Sequence, residues 1–134
     1  MSLGSEVATF LASNGIGVLG TSMFLGKLPE TPDTAIGLFE TGGAPPQSGF
    51  GVSGIQHERP SLQLRFRGAP RDTEGPRARA QTAYRLLMTV QGQTLSGTLY
   101  LWLRPAQSPF VLERDGNDRT VWTFNVNAEK ELSA

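Results

Sequence analysis

The stretch that decides the fold is Pro60-Ser-Leu-Gln-Leu-Arg-Phe-Arg67, the cleanest alternation of apolar and polar residues in the chain. Leu62, Leu64 and Phe66 fall on one face of an extended segment, and the polar residues between them fall on the other. This period of two predicts a half-buried strand that packs one face against a core. Proline at the first position of a strand costs no ladder bond, which agrees with the assignment.

Two helices and five further strands are predicted around this central strand. Apolar residues recur at helical spacing over residues 2–14, where Gly15 supplies the stop, and over residues 76–91, where Pro76 is a favoured first helical residue and Gly92 ends the segment. The six predicted strands are 21–28, 35–41, 60–67, 98–104, 108–113 and 120–126. We therefore expect an α+β fold: a single domain over residues 1–134, with a mixed or antiparallel sheet of about five to six strands and two helices packed on it.

The strand predicted at residues 98–104 is apolar on both faces. Leu99, Leu101 and Leu103 alternate there with Tyr100 and Trp102. A strand with two apolar faces must be covered on both sides, so we expect either a helix and a second layer or a neighbouring subunit to cover it.

A long loop is predicted at residues 42–58, which hold five glycines and two prolines in 17 residues. Its Gly-Gly-Ala-Pro-Pro segment carries no base or metal ligand, and its prolines favour an extended, stiff backbone. These features favour a role in binding or assembly over a role in catalysis. The candidate assembly residues are Thr41, Gly42, Gly43, Ala44, Pro45 and Pro46. Residues 128–134 are predicted as a flexible C-terminal tail.

The net charge is zero, but the charges are unevenly distributed. Residues 1–58 hold one base and five acids, whereas residues 59–85 hold seven arginines and two acids. Such a basic segment can pair with an acidic surface of a neighbouring subunit or lie along a phosphate backbone, and the sequence does not choose between them. The candidates for a charged interface or a DNA-facing surface are Arg65, Arg67, Arg77, Arg79 and Arg85.

Patterns that would indicate an enzyme lack their structural context. Gly15-Ile-Gly-Val-Leu-Gly20 matches a dinucleotide fingerprint, but a helix precedes it and a strand follows, the reverse of what phosphate binding needs. His57 is the single histidine, the chain has no cysteine, and no apolar run approaches the roughly 20 residues that span a bilayer. We predict no catalytic residue, no metal, no cofactor and no membrane partner, and hence a protein that is not an enzyme.

Five segments, taken in their order along the chain, resemble tailed-phage proteins known as minor capsid or tail terminator proteins. The segments are Phe24-Leu-Gly-Lys-Leu-Pro-Glu-Thr-Pro-Asp-Thr-Ala-Ile36, Glu40-Thr-Gly-Gly-Ala-Pro-Pro46, the strand at 60–67, the helix with Leu86-Leu87, and Asp115-Gly-Asn-Asp-Arg-Thr-Val-Trp-Thr-Phe-Asn-Val126. The glycine-rich segment 47–55 and the segment 71–76 depart from the family pattern.

The resemblance implies an α+β subunit of a sixfold homo-oligomeric ring at the head-proximal end of a tail tube. Such a ring stops tube polymerisation and joins the tail to the head connector, so the implied partners are copies of itself, the tail tube protein, connector or neck proteins, and genomic DNA in the lumen. The implied location is the tail or neck of the virion, after assembly in the host cytoplasm. Two alternatives stay open: another neck, head-completion or minor capsid protein, and a monomeric nucleic-acid-binding module that uses the five arginines.

Overall fold

The computed structural model describes residues 2–48 and 55–131, which form two helices and seven strands in a single sheet. The elements are α1 (Leu3–Ser13), β1 (Met23–Leu25), β2 (Ala35–Ser48), β3 (Ile55–Pro70), α2 (Glu74–Met88), β4 (Gln91–Leu95), β5 (Thr98–Pro105), β6 (Phe110–Arg114) and β7 (Arg119–Glu131). The predicted α+β class with two helices and a mixed sheet is confirmed, and the sheet has one strand more than the upper expectation.

Helix α1 lies where the sequence predicted it. Ser2 caps its first turn, because its Oγ accepts a hydrogen bond from the Ser5 N–H at 3.2 Å. Gly15 follows the helix with φ of +79°, a conformation that glycine adopts at little cost. Val7 and Leu11 on its apolar stripe are buried in the core.

Helix α2 begins two residues earlier and ends three residues earlier than expected. The Asp72 side chain accepts a hydrogen bond from the Gly75 N–H at 2.9 Å and so satisfies one donor of the first turn. Val90 is buried like a helix residue, but its carbonyl accepts a hydrogen bond from the Leu103 N–H of β5. The apolar residues thus continue beyond the last residue of the helix, and for this reason the sequence prediction extended the helix and did not include β4.

The sheet has the strand order β1-β2-β3-β7-β5-β4, with β6 paired to β7 beside the end of β5. Among the named strands only β1 and β2 pair in parallel, and every other described pair of strands is antiparallel. Helix α1 contacts both β1 and β4, which stand at opposite ends of that order, while α2 packs on β3, β5 and β7. The sheet is therefore curled, with both helices on its inner face.

The core lies between the helices and the centre of the sheet. Leu62, Leu64 and Phe66 of β3 are fully buried on the inner face, as their alternation predicted. Phe66 stacks on Phe124 of β7 with ring centroids 5.9 Å apart, and Tyr84 of α2 meets Phe124 edge-on at 5.7 Å. Burying each side chain of this size contributes about 1.5–3 kcal/mol, so this layer is a major source of stability.

The segments predicted as a long loop and as a C-terminal tail are largely strand. The expected loop at residues 42–58 is wrong at both ends, because β2 continues to Ser48 and β3 starts at Ile55, with Ala44 opposite Arg59 and Gln47 opposite His57. Residues 49–54 lie outside the described residues. The expected tail is likewise wrong over residues 128–131, which are the end of β7, and residues 132–134 lie outside the described residues.

The doubly apolar strand is accommodated by an irregularity in β5. The register against β7 shifts between Tyr100 and Trp102, so that Tyr100 and Leu103 are both buried although three positions separate them. Trp102 turns to the outer face of the sheet, where the Arg104 guanidinium lies 4.2 Å from its ring centroid. The inner side of β5 is covered by α2, which is the helix of the first expectation without its second layer in the described residues.

Candidate assembly surfaces

The end of the β2–β3 hairpin carries the candidate assembly residues Thr41 to Pro46. Strand β1 pairs with β2 only as far as Leu38, so in the described part of the chain no strand pairs with the outer edge of β2 beyond that residue. Prolines lack the N–H that an interior strand must donate, and sheets tolerate them at edges. Pro45 and Pro46 therefore suit this free edge, and their missing donors make it a poor template for adding another strand.

Gly43 is required where β2 and β3 approach each other most closely. A Cβ atom at this position would overlap the Arg59 carbonyl oxygen and would lie 2.8 Å from the Pro60 Cα. The pairing register shifts at the same place, between Thr41 and Ala44. Gly42 is different, because a Cβ atom there would meet nothing within 4 Å.

The five candidate arginines do not form one surface. Arg65 lies on the outer face of the sheet, with its guanidinium 4.5 Å from the Phe39 ring centroid and a hydrogen bond to Gln63. Arg77 and Arg85 project from α2, which packs on the inner face. Arg77 is close to Glu74 at 3.7 Å, an exposed ion pair of the kind that contributes little.

Arg67 is not available to a partner or to DNA. Its side chain is buried, and its guanidinium donates hydrogen bonds to the carbonyl oxygens of Asp33 (2.9 Å), Pro32 (2.7 Å) and Pro29. Burial lowers the pKa of Arg67, as does the neighbouring charge of Arg119, although the guanidinium stays a cation at neutral pH. Arg67 thus holds the β1–β2 loop in place, which corrects the prediction made for it.

Arg79 is partly buried in the same region. Its Nη2 lies 3.4 Å from the Arg67 carbonyl oxygen, and burial lowers its pKa. Because its guanidinium reaches back to the end of β3, it offers less to a partner than Arg77 or Arg85 does.

Arg119 anchors a charged cluster that the sequence did not reveal. Its guanidinium is buried and contacts Asp115 (2.7 Å), Asp33 (3.1 Å) and Glu30 (3.0 Å). Burial lowers the pKa of Arg119. Its hydrogen bond to Asp115 and the charges of the nearby carboxylates raise the pKa by more, so the net shift is upward. Arg119 and Arg67 together fasten the loop 29–33 to the sheet and to the β6–β7 turn. In the sequence, this region stood out only because residues 24–36 and 115–126 carry the family resemblance.

A second buried charge cluster joins α1 to the end of β7. The Lys130 ammonium lies 3.0 Å from Glu6 and 3.4 Å from Glu58, and the Tyr100 hydroxyl donates to Glu6 at 2.8 Å. Burial raises the pKa of Glu6, but hydrogen bonds and the Lys130 charge outweigh it and hold the pKa below its usual value. One signal was present in the sequence, because Glu6 lies on the apolar stripe of α1, three residues after Leu3.

The part of the chain that the structure describes shows neither a metal-binding cluster nor a membrane-spanning helix. His57 sits within β3 opposite Glu131, and residues 2–48 and 55–131 contain no group of three histidine or acidic side chains placed to hold a metal ion. Neither helix of this part of the chain is long and apolar enough to cross a membrane.

Comparison with known proteins gives the family. The family described as bacteriophage tail terminator protein matches residues 10–132. Among solved structures, a chain from the virion of a native gene transfer agent particle superposes with a TM-score of 0.69 at 16% sequence identity, over 98% of this chain and 96% of that one. No curated protein matches significantly in sequence.

The chain belongs to the bacteriophage tail terminator protein family, since the match covers nearly its whole length. Proteins of this family are structural components of the phage virion, which confirms the prediction that the chain is not an enzyme. The likeness to the gene transfer agent chain, at its low identity, supports the fold alone.

Proposed function

We propose that this protein is the subunit of a sixfold ring that caps the head-proximal end of a phage tail tube and joins it to the head connector. The observation that carries the proposal is the family match over residues 10–132. The ring would contact copies of itself, the tail tube protein and neck proteins, and genomic DNA would pass through its lumen. Its place would be the tail or neck of the virion, after assembly in the host cytoplasm.

The β2–β3 hairpin is the element that we assign to contact with a neighbouring subunit or the tube. Residues Thr41 to Pro46 lie on a free strand edge with no reactive groups, and the bulge at Gly43 gives that edge a defined shape. Because two of its donors are missing, we expect side-chain and shape contacts here and no added strand.

We assign the candidate arginines other than Arg67 and Arg79 to charged contacts. Arg77 and Arg85 on α2 would meet an acidic partner surface, and Arg65 on the outer face would meet a partner or DNA. A second role in the same virion, as another neck, head-completion or minor capsid protein, differs from the first only in its partners.

The test is assembly with purified tail tubes. We expect the protein to form a closed oligomer, measured by native mass spectrometry, and to appear as a cap on one end of the tubes in negative-stain images. Tubes grown with the protein present should also stop at a shorter length. A protein that stays monomeric and never caps tubes would overturn the ring proposal, whereas binding at the neck without an effect on tube length would favour the second role.

A further inference from the structure

Most large apolar side chains that remain exposed in the described residues fall into two groups. There are eight of them, and six lie in these groups, with exposures from 38% to 60%. The first group, which we name the β1 patch, comprises Val18, Leu19 and Leu25; the second, the β6 patch, comprises Phe110, Val111 and Leu112. Clustered exposed apolar residues mark interaction sites more often than scattered ones do.

The β1 patch covers one edge of the sheet. Residues 18–20 run along the outer side of β1, where the Met23 N–H donates to the Val18 carbonyl at 3.0 Å and the Gly20 N–H donates to the Met23 carbonyl at 2.7 Å. This edge is therefore already partly paired, and what it offers to a partner is apolar side chains.

The β6 patch forms another edge. All five residues of β6 are exposed although the strand is paired with β7, so neither its faces nor its outer edge is covered in the described part of the protein. An uncovered strand of this kind is a liability for aggregation unless another surface covers it.

The two patches stand at opposite ends of one row of strands. The residues that pair across this row are Phe24, Gly37, Arg65, Thr123 and Phe110. With strands about 4.8 Å apart, the patches are separated by about 20 Å along the sheet. They lie on the two opposite edges of this row.

Charged residues follow both patches in the sequence. Lys27 follows the β1 patch, and Glu113 follows the β6 patch; neither has an ion-pair partner within residues 2–48 and 55–131. Arg114, which also follows the β6 patch, pairs with Asp118, and Glu40 lies beside Leu25 of the β1 patch. Through Lys27 and Glu113, a β1 patch packed against a β6 patch brings unlike charges together.

We infer that the occupant of each patch is a second copy of this chain, and that the β1 patch of one subunit packs on the β6 patch of the next. This contact is heterologous, and repeated head to tail it generates a closed ring when the rotation permits. The inference rests on the proposed ring and names the surfaces that close it.

The experiment uses two variants that each remove one patch, Val18→Asp and Val111→Asp, with Met88→Asp as the matched control. Met88 is similarly exposed at 55% but lies at the end of α2, outside both patches. Circular dichroism and thermal unfolding establish that all three variants fold. Native mass spectrometry then compares each with the wild type, alone and with tail tubes.

We expect the wild type and Met88→Asp to form the same ring, and each patch variant alone to be monomeric. An equimolar mixture of the two patch variants should give one-to-one dimers and nothing larger, because each retains the patch that the other lacks. A dimer formed by one variant alone would show a self-matching contact and overturn the inference. Rings that persist in both variants would show that these patches do not form the ring interface, and the proposed function would stand. A wild type without rings that also fails to cap tubes would overturn both.

Discussion

The contribution of a charged residue to stability depends on how deeply its side chain is buried. Arg114 and Arg119 each form an i,i+4 ion pair across the same β6–β7 turn, with Asp118 and Asp115. The Arg114 side chain is 57% exposed, whereas that of Arg119 is 3% exposed and also binds Glu30 and Asp33. The same spacing in sequence thus produces one solvent-screened pair and one structural anchor.

We expect Arg119→Ala to lower the free energy of unfolding by about 2–3 kcal/mol, because it removes several charge-assisted hydrogen bonds and leaves a void. Arg114→Ala is the matched control and should change it by less than about 0.5 kcal/mol. Urea unfolding followed by tryptophan fluorescence measures both. Equal effects of the two substitutions would contradict the anchoring role of Arg119.

Because Glu6 is buried and ion-paired, the stability of the folded protein is expected to vary with pH in the acid range. Because the pKa of Glu6 is lower in the folded state than its ordinary value of 4.5, its contribution is fully present above about pH 4.5 and is lost as the pH falls through the folded-state pKa. Glu6→Gln should cost about 3 kcal/mol at pH 7, since Lys130 loses its closest carboxylate. The difference between wild type and variant should shrink below about pH 4.5 in urea titrations, and a gap that stays constant down to pH 2.5 would argue against this account.

At the scale of elements, the β2–β3 hairpin departs most from the sequence expectation. Glycine and proline at high density normally indicate a loop, but Gly42, Gly43, Pro45 and Pro46 sit in the unpaired-edge part of β2, where its pairing with β3 shows register shifts. Gly43 permits two backbones to approach closely, and the prolines occupy an edge where no ladder donor is needed. Their presence is explained by position in the sheet, which local sequence does not reveal.

Gly43→Ala should disrupt pairing beyond the bulge, because the new methyl group would overlap the Arg59 carbonyl. We expect faster amide exchange at residues 44–48 and 55–59, with global stability lowered by about 1–3 kcal/mol. Gly42→Ala, which meets open space, should leave exchange in this hairpin unchanged. Hydrogen exchange measured by mass spectrometry compares the two; matching profiles would contradict the close approach.

Replacing Pro45 and Pro46 together by alanine should spare folding and weaken assembly. The prolines lie in the part of β2 beyond Leu38, where no described strand pairs with its outer edge, so we expect the fold to persist while the stiff shape of the edge changes. Thermal unfolding should shift by no more than a few degrees, while capping of tail tubes falls. Loss of the folded state in this variant would mean that the segment belongs to the core and would contradict its assignment as a contact surface.

At the scale of the whole molecule, the fold disperses charges that are neighbours in sequence. The arginine-rich middle segment contributes to the outer face of the sheet, to the helix side and to the buried anchor of the β1–β2 loop. A duplex-binding module needs its cations along one surface, so this dispersal weighs against the nucleic-acid-binding alternative.

We expect the isolated subunit to bind duplex DNA weakly. If few phosphates are neutralised at once, the slope of log affinity against log salt should be no steeper than about −2, since each phosphate contact contributes about −0.9. Fluorescence anisotropy between about 50 and 200 mM salt measures the slope. A slope steeper than about −4 that is lost in Arg77→Ala/Arg85→Ala would restore the alternative.

The sequence by itself determined the α+β class, both helices, the central strand at residues 60–67 and the family, because periodic apolar patterns and caps are local signals that the final fold obeys. Only the tertiary structure decided that residues 42–48 pair as an edge strand, that Arg67 and Arg119 are anchors, that Glu6 meets Lys130 across the chain, and that two apolar patches stand at opposite ends of one strand row. The physical reason is range: burial, register and ion pairing between residues far apart in sequence depend on which strands become neighbours, and no local pattern encodes that.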